Sequence, residues 1–151
     1  QSYAYDAAVL KPMIPSLVVR PTEVEQLGQV VKRCYEEGIP MTVRGSGTNL
    51  TGGTIPDCSD TIVILTTGLN KILEINTEDL YATVQPGVIT AKFAAAVAAK
   101  GLFYPPDPGS MSVSTIGGNV AEAQAACAAS STARPKIRHG HGSSSPTPVI
   151  W

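Results

Sequence analysis

The chain has 151 residues, of which 43% are apolar and 15% charged, and its formal net charge is −1. That is enough chain for one domain with a real core, and so even a balance offers no electrostatic footing for nucleic acid or an anionic membrane. Cys34, Cys58 and Cys127 are too few and too scattered for a disulfide framework or a metal knuckle, and no run of about 18 apolar residues marks a membrane-spanning segment, so a reducing, cytoplasmic setting is expected.

The chain opens on Gln1, which suggests that the natural start lies further upstream. After two prolines, Ser16-Leu-Val-Val-Arg20 reads as a short buried-type strand. Thr22 as N-cap with Glu25 three residues on predicts a capping box. Val24, Leu27, Val31 and Cys34 recur at helical spacing, with Val30 and Tyr35 beside them, and Gly38 ends the helix. Cys34 falls on that stripe as a buried hydrophobe. A strand at about 40–44 follows, completing a β-α-β unit whose second strand runs straight into a glycine loop.

That loop, Arg44-Gly-Ser-Gly-Thr-Asn-Leu-Thr-Gly-Gly53, is the most informative stretch of the sequence. Few Cβ atoms let successive N–H groups turn toward one point, and such a concavity binds anions, phosphate above all. No Gly-Lys-Ser/Thr closes the run, so it is not a Walker loop. Gly45, Gly47 and Gly52 do not make the Rossmann spacing either. Composition alone also suits an ordinary surface loop after a strand. A second glycine cluster, Ser114-Thr-Ile-Gly-Gly-Asn119, favours the ligand reading, because two such loops suit a long ligand lying along several loop tips.

Further on, Thr61-Ile-Val-Ile-Leu65 reads as a strand buried on both faces. Residues 69–75 and 81–84 alternate like two strands joined through Asn76-Thr-Glu-Asp79, and Gln85-Pro-Gly87 is a turn. Thr90 is placed to cap a helix from Ala91 to Lys100, with Phe93 and Val97 inward and Gly101 as its stop. Ala123 to Ala129 has helical propensity, whereas residues 130–151, rich in Ser, Pro, Gly and His, show no apolar period and read as a disordered tail. His139 and His141 fall in that tail, and no metal site is expected from them.

The ordered motifs Arg44-Gly-Ser-Gly-Thr, Gly52-Gly53, Val84-Gln-Pro-Gly87, Pro105-Pro-Asp-Pro108 and Ile116-Gly-Gly-Asn-Val-Ala-Glu122 resemble the FAD-linked oxidase domain of the vanillyl-alcohol-oxidase or p-cresol-methylhydroxylase type. Within it, the likeness is to the FAD-binding subunit of glycolate oxidase and to FAD-dependent D-lactate dehydrogenases. Tyr3-Ala-Tyr-Asp6 and Val19-Arg-Pro-Thr-Glu-Val24 fit the same pattern. The resemblance implies an α+β fold, with the first α/β subdomain of the FAD-binding domain complete and the second truncated. It implies that Arg44, Gly45, Ser46, Gly47, Thr48, Asn49, Gly52 and Gly53 hold the FAD diphosphate. Pro86 and Gly87 would border the dinucleotide, and Pro106, Asp107, Ser110, Thr115, Gly117, Gly118 and Asn119 would line the path toward the flavin ring. Turn chemistry is the competing role for Pro86-Gly87 and for residues 105–108. Thr48 stands where some relatives attach FAD through histidine, so the cofactor is expected to be non-covalent. Arg44 either meets the phosphates or braces the loop, and bracing is favoured because main-chain donors can carry the anion unaided.

The activity implied is hydride transfer to FAD from a small 2-hydroxy acid such as glycolate or D-lactate, with a quinone or an iron–sulfur subunit as electron acceptor. No residue is assigned as the catalytic base. Another alcohol or sugar oxidase or reductase of the same fold is the alternative, as is an inert truncated remnant. The resemblance covers residues 3–122, and the FAD-binding domain is placed at 1–122. From 123 the text departs from the family, and restoring one nucleotide after Glu122 can turn it into Glu-Ser-Ala-Gly-Gly-Leu-Arg-Gly-Leu-Lys-Tyr-Gly, the continuation such proteins carry. Residues 123–151 are therefore read as an aberrant, frameshifted tail. Weak cofactor affinity and marginal stability are expected of a chain that ends there.

Overall fold

The computed structural model describes residues 2–8, 11–104, 106 and 108–122, together with the backbone of 149–150. The first sheet holds three parallel strands, β1 (Leu17–Val19), β2 (Met41–Arg44) and β3 (Ile62–Leu65), in the order β1-β3-β2. Helix α1 (Val24–Glu37) connects β1 to β2. The sequence placed these two strands in one β-α-β unit, and the structure inserts β3 between them. The Ile-Val-Ile-Leu run explains the order: Val63, Ile64 and Leu65 are buried, as a strand covered on both faces must be. Leu17 and Val43, which are exposed, fall on the edge strands.

Helix α1 starts one residue later than Thr22 and Glu25 predicted. Glu23 is its N-cap, and the Gln26 side chain reaches back to accept from the amides of Thr22 (2.9 Å) and Glu23 (3.3 Å). Gln at the third helical position serves the box as well as Glu does, which is why the register slipped. Gly38 ends the helix in the left-handed region, φ 66°, as expected. Cys34 is buried, but the rest of the stripe is not fully inward: Val24, Leu27 and Val30 are half-buried, and Val31 and Tyr35 are exposed.

The second sheet is antiparallel, with β4 (Ile72–Asn76) on β5 (Tyr81–Val84) and Val149–Ile150 (β6) on the other side of β5. The sequence placed no strand at 149–150. Helices α2 (Thr90–Ala98) and α3 (Ile116–Ala121) follow β5. Thr90 is the first residue of α2 rather than its cap, because its hydroxyl is engaged by Ser114 and Asn119. Phe93 and Val97 point inward, as their spacing predicted, joining Ala82, Val84, Val88, Tyr104 and Ile116 in one core. Phe93 and Tyr104 meet edge to face, with ring centroids 4.9 Å apart.

Residues 123–148 and 151, with Cys127, His139 and His141, lie outside the described residues, as do Pro105 and Asp107. Among the described residues, no helix is long and apolar enough to cross a membrane, and no group of three or more His, Cys, Asp or Glu could hold a metal ion.

Candidate functional site: a cleft between two glycine loops

Strand β2 ends at Arg44, and the chain turns into the glycine loop. Gly47 (φ 73°) and Gly52 (φ 78°) take left-handed conformations there. Opposite lies the segment from Ser114 into α3. Between them is a cleft of about 220 Å³, with Thr66 and Pro86 also on its wall. The two glycine clusters thus flank one hollow. A side chain at Gly45 would fill part of it, since a Cβ there would lie 2.5 Å from Thr115 Oγ1.

The loop that forms the first wall leaves its main-chain donors unused. Among the described residues, the amides of 46–54 have no protein acceptor. The only main-chain bond turning the loop upon itself is from the Ile55 amide to the Gly52 carbonyl, at 3.0 Å. Unpaired amides beside a concavity are the donor set that an anion such as a diphosphate accepts from. Glu122 is the one charged side chain on the described lining, and its Oε1 accepts from Thr51 Oγ1 at 2.9 Å. Among the described residues, the lining offers an anion peptide N–H groups and the side chains of Ser46, Thr48, Asn49 and Thr54, with no lysine or arginine. The residues present fit a dinucleotide diphosphate on that ground.

The second wall differs. The amide of Ile116 donates to Val88 O (2.9 Å), Gly117 to Pro86 O (2.9 Å), Gly118 to Thr115 Oγ1 (3.2 Å) and Asn119 to Thr115 O (2.9 Å). The first-turn donors of α3 are thereby used within the protein. Gly117 and Gly118 shape the cleft by their small size.

Arg44 turns away from the hollow. Its Nη1 donates to Tyr5 O (2.8 Å) and Thr54 Oγ1 (3.2 Å), and its guanidinium lies 5.8 Å from the centre of the Tyr3 ring. This is bracing geometry. Gly45, Ser46, Thr48, Asn49, Gly53, Pro86, Thr115, Gly117, Gly118 and Asn119 line the cleft. Gly47, Gly52, Gly87, Pro106 and Ser110 do not appear on its wall. Gly87 is a packed turn, its amide donating to Leu69 O at 2.7 Å, and the Ser110 carbonyl accepts from Val113 and Ser114. Asp107 lies outside the described residues.

Side-chain links across the cleft were not anticipated. Ser46 Oγ donates to Val113 O (2.6 Å), and Thr51 Oγ1 meets Glu122 as above. Behind the second wall, Asn119 Nδ2 donates to Thr90 Oγ1 at 2.8 Å. Burial pushes the nearby Tyr104 phenol up to about 12, against a smaller lowering by a hydrogen bond from Asn119.

A parallel sheet feeding a glycine loop with unpaired amides defines a nucleotide-binding class of domain. The chain belongs to the FAD binding domain family, whose model matches residues 15–133 and so runs past the boundary expected at 122. It is 49% identical over 120 residues to the glycolate oxidase subunit GlcD of Bacillus subtilis (strain 168), covering 80% of this chain and 25% of that protein. It is 39% identical over 107 residues to a D-lactate dehydrogenase of Anaerostipes hadrus, covering 71% of this chain and 22% of that protein. Among solved structures, an alkyldihydroxyacetonephosphate synthase superposes with a TM-score of 0.64 at 25% identity, over 69% of this chain and 21% of the other. The chain spans about a quarter of the length of the curated relatives it matches. The fold is the α+β FAD-binding fold of the p-cresol-methylhydroxylase type, and FAD is its cofactor.

Proposed function

We propose that this chain is the diphosphate-holding portion of an FAD-dependent oxidoreductase that oxidises a small 2-hydroxy acid of the glycolate or D-lactate kind. The row of unpaired amides from 46 to 54 beside the cleft carries this reading. Bound FAD supplies a two-electron acceptor, and the protein supplies placement and electrostatics. Gly45, Ser46, Thr48, Asn49 and Gly53 would hold the diphosphate from one side, with Pro86, Thr115 and Gly117 closing the other. The hold is proposed to be non-covalent, with Thr48 at the position where some relatives attach FAD through histidine.

The substrate class rests on the glycolate oxidase and D-lactate dehydrogenase relatives. A quinone or an iron–sulfur subunit as acceptor, and a cytoplasmic location, belong to the same proposal.

Two measurements test it. The purified chain should quench FAD fluorescence and release intact flavin on acid treatment, while riboflavin, which lacks the diphosphate, should bind far more weakly. For the substrate, residues 15–122 replace the matching stretch of the Bacillus subtilis subunit. The chimera should retain glycolate oxidation. A chimera that folds and takes up FAD yet leaves glycolate untouched contradicts the hydroxy-acid reading.

A further inference from the structure

A loop that keeps its amides for a ligand cannot hold its own shape through main-chain hydrogen bonds. Something else must fix residues 46–54, and the structure shows what does. The short segment Tyr5–Ala8, distant in sequence, grips the loop at several points. The Ala7 amide donates to Gly47 O at 3.1 Å, and Tyr5 O accepts from Arg44 Nη1 at 2.8 Å. The hub is the Asp6 carboxylate, which is 9% exposed. Its Oδ1 accepts from the Ala8 amide (2.8 Å), which fixes the carboxylate to its own segment. Its Oδ2 accepts from Asn49 Nδ2 (2.9 Å) and from Thr54 Oγ1 (3.0 Å), the middle and the far end of the loop. Thr54 Oγ1 in turn accepts from Arg44 Nη1 at 3.2 Å, so one threonine hydroxyl links the buried anion to the buried cation.

We propose that Asp6 is a positioning residue of the FAD-holding loop, setting the shape of residues 46–54 through Asn49 and Thr54. The inference rests on the diphosphate reading given above. Asp6 touches no ligand itself. Its removal leaves Thr54 without its charged acceptor and strips Asn49 Nδ2 of its shorter bond, so the loop relaxes and its amides no longer meet one anion together.

The test compares wild type with Asp6→Ala, Asn49→Ala and the double variant, using FAD affinity from flavin fluorescence and the amide NMR signals of the ligand-free chain. Asp6→Ala should raise the Kd for FAD by about tenfold or more, as expected for unpairing buried polar groups. It should shift the signals of 46–54 while leaving those of 63–65 in β3 in place. The double variant should bind FAD no worse than the weaker single variant, because the two residues act as one unit. A purely scaffolding role would move the β3 signals too and would add to the Asn49→Ala loss. Should Asp6→Ala fail to fold, Asp6→Asn keeps the side chain's size while losing one acceptor, and it must show the same loop shifts and a raised Kd.

Loop signals that stay in place, additive losses, or unchanged FAD affinity in a loop that has moved each overturn the proposal. A wild-type chain that takes up no FAD overturns the proposed function instead, and the loop signals then decide by themselves whether Asp6 shapes the loop.

Discussion

Gly47→Ala strikes the loop where backbone and brace meet. Gly47 has φ 73°, a region that costs a residue bearing a Cβ about 1–2 kcal/mol. The new methyl would also run into the Arg44 guanidinium, whose Nη1 would lie 3.0 Å away with other guanidinium atoms closer still. Arg44 can yield only by giving up its donation to Tyr5 O or Thr54 Oγ1. Each is a hydrogen bond from a charged group, of the kind worth about 1.5–3 kcal/mol. Losing one bond and bearing the backbone cost together come to about 3–5 kcal/mol. In a chain of this size that lowers the midpoint of thermal unfolding by about 6–20 °C. If the loop distorts rather than the whole domain, the same cost appears as weaker FAD binding. Thermal unfolding followed by circular dichroism, with an FAD titration beside it, reads both. A variant that melts within about 2 °C of wild type and binds FAD equally well would show that neither the left-handed backbone nor the Arg44 brace constrains residue 47.

Two further outcomes follow from other contacts. Gly45→Ala should weaken FAD binding, because its Cβ would sit 2.5 Å from Thr115 Oγ1. Adding Thr115→Ala should restore part of the affinity while lowering stability by about 1 kcal/mol through the lost cap on α3, measurable in urea melts. Tyr104 is held neutral by burial, so its folded pKa of about 12 lies above the ordinary tyrosine value of 10.0. That contribution is fully present below pH 10.0 and is lost as pH rises toward about 12, amounting to on the order of 2 kcal/mol. Stability of wild type should therefore fall more steeply than that of Tyr104→Phe across this window in urea melts, and parallel curves would contradict it.

What the sequence disclosed was mostly local. The Ile62-Val-Ile-Leu65 run, the Gly38 stop and the inward Phe93 and Val97 follow from period and cap chemistry, which act over a few residues. The order β1-β3-β2 was not legible, because strand neighbours depend on burial across the whole sheet. Both glycine clusters were readable as site walls from composition, yet their donors differ. Only partners at 86, 88 and 115 reveal that the first-turn amides of α3 are already used. Asp6 is legible only as the end of the Tyr3-Ala-Tyr-Asp6 motif, and its hold on the loop is hidden for the same reason: its partners Asn49 and Thr54 are remote in the chain. The apolar stripe of α1 is clear in sequence, but periodicity does not say how much of a stripe the fold covers, and Val31 and Tyr35 remain exposed.

We propose above all that peptide N–H groups between 46 and 54 hold the paired phosphates of FAD. Amide NMR of the isotope-labelled chain, recorded while FAD is added, tests this most directly. Signals from 46–54 should move together to saturation, and inorganic pyrophosphate should move many of the same signals. FAD that binds while those signals stay still, with shifts confined to other parts of the chain, would contradict it.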